Sequence, residues 1–501
     1  METVEHLDSG SAVRRIVEHS IRYLPATLLP ALLSIGAVYV FTRVFTTHEY
    51  GVYALVLAVT TPLTILVTEW AGQPILRFYS DYANRGLLDV FRETIEQLYL
   101  RIAGIIILVT GVFATINILA HAVSVLSLAG AFFSVLTQCF SSLVLPTLTA
   151  SLRPTLYRRV VVGASGISTV ASLLLVYVAG AHLACLLWGP AIANVALLPW
   201  VVRWTKMRPF CRPRRLAPEE SAIFRRFLRY GLPMTVWFFS ASLLYSEDRY
   251  MIALFRGPTE VAVYGVNFNL VAIASGFVNT PVATAVGPLL YQQWNTGKIQ
   301  ESSKTLSAMT ELYGILAAVM LGGTMIVGPG AIHMLFQRPY WAGEAVLIPV
   351  MIGRLFWGAS LIGHKTLELA ERTLTMSLSA LAAATLNLVL NFVLVPRYGF
   401  VGSSYATLVS YGTYCVVIWF QSRSAMKWSV RVRRIAVYLG IAALIAAGIQ
   451  YAFHRWGVLT QAGQGPSYLQ LGVETVVYLV AFTTILVTLF GRRIRGLLSA
   501  S

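Results

Sequence analysis

Charged side chains are scarce. Asp, Glu, Lys and Arg make up 12% of the 501 residues, about half their usual share in a soluble domain. So few charges cannot cover the water-facing surface of a chain this long. Their placement sharpens the point, because residues 102–152 and 160–202 contain none at all. At 1.5 Å per helical residue, either run can cross a hydrocarbon core of about 30 Å twice. A soluble enzyme and a nucleic-acid binder are excluded, despite a net charge of +17. Cysteine is also sparse. Cys139, Cys185, Cys211 and Cys415 lie far apart, three in apolar runs and Cys211 in a basic loop, which gives neither a disulfide framework nor metal spacing. Alternating polarity is missing, which excludes a β-barrel. There is no Walker A sequence and hence no ATP site. There is no nucleophile–base constellation either, so no enzymatic chemistry and no cofactor are expected. The first residues, METVEHLDSGSAVRR, are polar and lack a signal-peptide core, so the first apolar segment is expected to be retained.

What is present is a succession of apolar segments. Charged punctuation and Gly/Pro turns set about fourteen helices near 23–42, 50–69, 99–118, 122–145, 160–179, 183–202, 230–252, 261–285, 309–330, 344–362, 374–395, 403–421, 435–453 and 469–490. The expected fold is an all-α polytopic membrane protein. With the N-terminus in the cytoplasm, 31 of the 38 Lys and Arg residues fall on the cytoplasmic side and six on the other, with Arg354 alone mid-span. That split is a positive-inside pattern. It predicts a multi-pass protein of the cytoplasmic (inner) membrane with both termini in the cytoplasm. Most of the basicity therefore orients helices and meets anionic headgroups. The densest stretch, 203–229, is expected to link two lobes. It should also include an amphipathic segment lying on the membrane surface through Ile223, Phe224, Phe227 and Leu228.

The chain restarts after that loop. Arg22-Tyr23 with Pro25 resembles Arg229-Tyr230 with Pro233. FTTHEYGVYALVLAV (45–59) resembles FRGPTEVAVYGVNFNLV (255–271), with Glu49 matching Glu260 and Tyr53 matching Tyr264 at an offset of 211. VYVAGAHLACLLW (176–188) resembles VLVPRYGFVGSSY (393–405) more weakly. These matches predict two parallel-repeat six-helix lobes around a central cleft, 23–202 and 230–421. A cytoplasmic segment (1–22) precedes them, the basic linker 203–229 joins them, and a C-terminal hairpin with a basic tail (422–501) follows.

The segments TRVFTTHEYGVYALVLAV (42–59) and EWAGQPILRFYSDY (69–82) resemble the opening of the polysaccharide transporter branch of the multidrug/oligosaccharidyl-lipid/polysaccharide exporter superfamily. Thr46-Thr47 stands where the branch has Gly-Pro. SEDRYMIALFRGPTEVAVYG (246–265) resembles its Asp-Arg motif and keeps Gly257-Pro258. LNLVLNFVLVPRYGFVGSSYATLVS (386–410) resembles its late signature. The likeness covers about 20–425. It implies a flippase that carries polyprenyl-diphosphate-linked oligosaccharides for O-antigen, capsule, exopolysaccharide or teichuronic polymers to the outer leaflet. Polymerase or glycosyltransferases acting on the same cargo would be its partners. A cation-coupled multidrug antiporter and the lipid II flippase are the alternatives within the superfamily. The sequence leaves open whether H+, Na+, membrane potential or the cargo gradient drives transport.

Diphosphate and sugars need a polar path through hydrocarbon, and diphosphate suits the bidentate fork of Arg. Arg354 is the leading candidate, since a mid-span charge seldom faces lipid. Either it lines the cavity or it forms a structural pair with a carboxylate. Glu247-Asp248-Arg249 closes the seventh span. Either Arg249 holds anionic cargo while Asp248 orients it or binds a coupling cation, or the group snorkels at the outer interface. Glu69, Gln73 and Arg77 recur at spacing four, as a polar ladder for the diphosphate or as helix-end charges. Arg43 caps the first span on the outer side. Asn267, Asn269, Asn279, Asn387 and Asn391 suit either sugars or helix packing. His364 and Glu368 read as an i,i+4 surface pair, with a proton relay as the other possibility. Gly36, Gly163, Gly166, Gly322, Gly323, Gly402 and Ser403 suit close helix contacts.

Overall fold

In hydrocarbon every backbone N–H and C=O must find its partner inside the chain, and long apolar segments do so as helices. The computed structural model describes residues 9–120, 124–151, 153–209, 212–456 and 468–499. Cys211 lies outside them, as do the side chains of Arg14, Arg15, Arg22, Tyr23, Arg455, Arg492, Arg493 and Arg495. The described residues form thirteen α-helices and one 3-10 segment, with no strand. The helices are α1 (Ser9–Val44), α2 (Thr47–Asn84), α3 (Leu88–Ala120), α4 (Val125–Ala150), α5 (Pro154–Ala179), α6 (Leu183–Thr205) and α7 (Pro218–Arg256). They continue with α8 (Pro258–Asn295), α9 (Ile299–Leu335), the 3-10 segment Arg338–Val346, α10 (Leu347–Leu369), α11 (Thr373–Ala425), α12 (Val432–Trp456) and α13 (Tyr468–Ser499). Ten helical stretches of the described residues are long and apolar enough to cross a membrane.

The expected eleventh and twelfth spans are both present inside α11. Its 53 residues would reach about 80 Å if straight, but the backbone leaves helical geometry at Gly399 (φ 59°, ψ −146°). Ser379 Oγ then donates to Gln421 Oε1 at 2.9 Å, and Arg372 Nη1 donates to Ser424 Oγ at 2.8 Å. Those bonds require two antiparallel segments. Asn387, Asn391 and Ser403 close the pair from within. Asn391 Nδ2 donates to Asn387 Oδ1 (2.8 Å), and Ser403 Oγ donates to Asn391 Oδ1 (2.6 Å); all three residues are fully buried.

Contacts divide the chain into two units, Arg22–Ala262 and Val263–Ser501, the latter grouped with Met1–Ile21. The first unit thus includes α7. The reason is a long antiparallel pairing of α7 with α2. Tyr250 Oη donates to the Ala58 carbonyl, Gly231 lies against the Trp70 carbonyl, and Arg226 pairs with Asp81 at 2.8 Å, while Gly51 near the start of α2 lies against Pro258, the first residue of α8. At both glycines a Cβ would overlap the facing backbone oxygen.

The stretch expected to lie on the membrane surface packs into the protein instead. α7 begins at Pro218 and runs unbroken. Ile223 and Phe227 are buried in a cluster with Phe78 and Phe91. Phe227 stacks on Phe78 and meets Phe91 edge-on, and Phe224 meets Trp70 edge-on. An apolar stripe can cover a lipid surface or a neighbouring helix, and here α2 and α3 supply the neighbours. The basic connection before α7 is strapped down as well. Arg214 forks onto both oxygens of Glu220 at 2.7 Å and reaches Glu93 at 2.9 Å. Glu96 accepts the Arg208 N–H at 2.7 Å, and Gln97 bonds the backbone of Arg212 and Arg214.

In the second unit, α12 and α13 pack on α9 through Tyr438, Tyr478 and Phe482. Buried Glu311 of α9 accepts from Arg431 (2.5 Å), Arg434 (3.3 Å) and Tyr438 (3.3 Å), which fixes the terminal hairpin.

The two halves share measures that the sequence matches only touch. α2 and α8 are each 38 residues long and begin at 47 and 258, an offset of 211. Each ends on a positive-φ glycine, Gly86 (71°) and Gly297 (75°), at the same offset. Each glycine closes a Schellman turn, with Leu87 N–H on the Tyr82 carbonyl and Lys298 N–H on the Gln293 carbonyl.

Candidate functional site

In the second unit, Arg354 sits in the second turn of α10, half-buried. Its Nε donates to Ser275 Oγ on α8 at 3.2 Å. One turn along α8, Asn279 donates its Nδ2 to the Arg354 carbonyl at 3.1 Å. Tyr313 Oη of α9 lies 2.8 Å from Asn279 Oδ1 and 2.7 Å from the Leu355 carbonyl. A Cβ at Gly358 would overlap both Asn279 and Tyr313. Three helices therefore meet around Arg354 and its backbone, and a missing side chain at Gly358 leaves them room to do so. Ser275 and Tyr313 escaped the sequence reading because neither is charged. Spacing carried the available signal: Ser275 and Asn279, like Arg354 and Gly358, are four apart and share a helix face.

The other asparagines are placed differently. Buried Asn267 donates to the Val263 and Tyr340 carbonyls (2.8 and 3.0 Å) and ties α8 to the 3-10 segment. Asn387 and Asn391 close α11 on itself, as described above. His364 and Glu368 do not form the expected surface pair. His364 is buried and 2.6 Å from Tyr414 Oη, whose ring stacks on Trp357. Glu368 pairs with Lys365 at 2.8 Å instead. The helix end they occupy is covered by α11, so i,i+4 spacing did not bring them to the surface.

In the first unit, Glu247, Asp248 and Arg249 lie inside α7, which continues to Arg256. All three are buried, Asp248 completely, which runs against the snorkelling alternative. Arg249 donates from Nη1 to the Tyr245 carbonyl at 3.0 Å and lies 5.4 Å from the Tyr245 ring centre. Glu69 is well inside α2, fifteen residues before its end at Asn84, so it is not a helix-end charge. Gln73 Nε2 donates to Glu69 Oε2 at 3.2 Å. The expected three-membered ladder stops there. Arg77 is exposed and turns onto the ring of Tyr230, 4.4 Å from its centre. Arg43, also exposed, folds back on Tyr39, with its guanidinium 3.5 Å from the ring centre and Nη1 on the carbonyl at 2.9 Å. Among the described residues no group of three or more His, Cys, Asp or Glu is placed to hold a metal.

Membrane-length helices with buried cations, carboxylates and amides define a multi-pass membrane protein. The chain belongs to the polysaccharide biosynthesis protein family, whose model matches residues 16–294. An uncharacterised membrane protein of Methanocaldococcus jannaschii is 25% identical over 219 residues, 42% of each chain. The chain thus spans about two fifths of the length of that curated relative. The lipid II flippase MurJ in an inward closed conformation shares the fold, with a TM-score of 0.74 at 13% identity over 95% of this chain and all of that one. An inward-facing multidrug resistance transporter of the MATE family of the MOP superfamily gives 0.61 at 11% identity, over 84% of this chain and 98% of the other. A superfamily transporter from Pyrococcus furiosus gives 0.58 at 12% identity, over 85% and 96%.

Proposed function

We propose that the protein flips polyprenyl-diphosphate-linked oligosaccharides from the cytoplasmic to the outer leaflet by alternating access, supplying a surface polysaccharide such as O-antigen. The observation that carries this proposal is membership of the polysaccharide biosynthesis family by a chain whose described residues are almost entirely membrane-type helix. The fold shared with a lipid flippase supports a lipid-borne cargo.

The cargo chemistry assigns the roles. Diphosphate calls for a planar cation, and Arg354 presents one whose Nε is oriented by Ser275 Oγ. Arg249, with Asp248 beside it, is the corresponding group of the first unit. Glu69 and Gln73 offer acceptor and amide groups for sugar hydroxyls, with Arg77 and Arg43 as further cations for the diphosphate. The polyprenyl tail stays in lipid. Two six-helix lobes, 23–202 and 230–421, repeat in parallel, with both termini cytoplasmic. The common offset of α2 with α8 and of their terminal glycine turns supports that duplication.

The test is deletion of the gene in its own host, with surface polysaccharide measured by gel profile and lipid-linked precursor measured on each face of the membrane. Loss of polymer with precursor retained on the cytoplasmic face is expected. Unchanged polymer, or a phenotype confined to drug sensitivity, would overturn the proposal.

A further inference from the structure

A second cationic feature lies away from these residues, inside the first unit. A cavity of about 140 Å³ opens where α4 ends, α5 begins and α6 ends. Its walls include Arg92, Arg153, Lys206, Ser151, Tyr79 and Trp204, and no carboxylate. Arg92 gives one nitrogen to exposed Asp89 at 2.9 Å, but its buried Nε has no hydrogen-bond partner among the described residues. Arg153 spends a single N–H on the Trp204 carbonyl at 3.3 Å and makes no capping bond for α5. Lys206 ends α6 in the left-handed region (φ 60°, ψ 18°), where an L side chain is strained and glycine is the common choice. A buried guanidinium N–H normally has an acceptor, and three cations around one small space normally have an anion.

We infer that this cavity binds a phosphate group, held by Arg92, Arg153 and Lys206. The chemistry fits either the headgroup phosphate of an anionic phospholipid or a soluble phosphate ester. Several features place the cavity at headgroup depth: tyrosine and tryptophan belong to membrane interfaces, and anionic lipid gathers against basic cytoplasmic ends. The cavity is separate from the cargo residues proposed above and does not depend on the flippase assignment.

The strain at Lys206 makes a discriminating test. The full chain is purified in neutral detergent, and its thermal midpoint is followed against phosphatidylglycerol in mixed micelles, phosphatidylcholine as the net-neutral control, and soluble glycerol 3-phosphate. A saturable rise with phosphatidylglycerol, well above that with phosphatidylcholine, is expected. A rise with phosphatidylglycerol alone identifies a lipid headgroup, and a rise with glycerol 3-phosphate as well identifies a site open to free phosphate. Lys206→Gly should raise the midpoint without ligand, because it relieves the left-handed strain, and should lose most of the ligand-induced shift. Arg153→Gln should lose the shift with little change in the unliganded midpoint. No rise with either phosphate compound, or a rise undiminished in both variants, would overturn the inference.

Discussion

At the scale of single residues, the informative side chains are charges kept where charge is costly. Arg354 is one. If its planar fork grips diphosphate, Arg354→Ala should cut polymer export by about tenfold or more, equivalent to roughly 1.4 kcal/mol. Arg354→Lys should recover only part, because a point charge replaces a fork. Export is read per unit of folded protein in the membrane, so a purely structural arginine would show as lost protein with normal export per molecule. Glu220 makes a different prediction. Burial alone pushes its carboxyl up. The Arg214 fork, the Ala217 N–H and the charge of Arg101 outweigh burial and hold it below the ordinary glutamate range. A depressed folded-state pKa contributes stability that is fully present above the unfolded value, about 4.3, and is lost as pH falls through the folded value. The thermal midpoint of the detergent-solubilised protein should therefore fall as pH drops below about 4.3. Glu220→Gln should be less stable at neutral pH and should lack this part of the acid dependence. The sequence displayed Glu220 beside Glu219 in a basic loop, but its fork partner could not be chosen from nine cations.

At the scale of helices, the decisive contacts are close approaches of backbone, and these are hard to read from sequence. Gly322 and Gly402, singled out as small residues suited to close packing, do face Tyr478 and the Leu394 carbonyl closely, but Gly36 and Gly323 face open space. Gly51 and Gly231, which let α2 touch the start of α8 and the side of α7, looked like ordinary glycines, because their partners Pro258 and Trp70 are remote in sequence. Overpacking a tight contact costs about 1–3 kcal/mol. Gly51→Ala and Gly231→Ala should each lower the thermal midpoint clearly. Gly36→Ala should be neutral or slightly stabilising, by up to about 1 kcal/mol, since it gains helix propensity without a clash. Equal behaviour of all three variants would mean that the contacts of α2 with α7 and with the start of α8 are not held at these glycines. The same remoteness explains Ile223 and Phe227. Their amphipathic spacing was legible, whereas the choice between lipid and α2 as the covering surface depends on a helix 150 residues earlier.

At the scale of the whole chain, much was legible because topology is written in coarse variables. Uncharged runs marked out the helices, and the distribution of cations predicts an even number of spans. The two segments of α11 match the expected eleventh and twelfth spans once the turn at Gly399 is recognised. The sequence suggests a repeat at Glu49/Glu260 and Tyr53/Tyr264, and the structure adds twin turns at Gly86 and Gly297, single glycines whose meaning lies in φ. Those turns also permit a direct test of direction. A parallel repeat puts Leu87 and Ile299 on the cytoplasmic side and Val44 and Arg256 on the outer side, whereas an inverted repeat would split each pair. All four side chains are exposed, so each can be replaced by cysteine in a chain whose four native cysteines are alanine. A membrane-impermeant maleimide should label Val44→Cys and Arg256→Cys in intact cells. It should reach Leu87→Cys and Ile299→Cys only after the membrane is opened. Labelling of one member of a pair without the other would exclude the parallel duplication. Reversal of both pairs together would keep the duplication and invert the orientation that the 31 cytoplasmic cations predict.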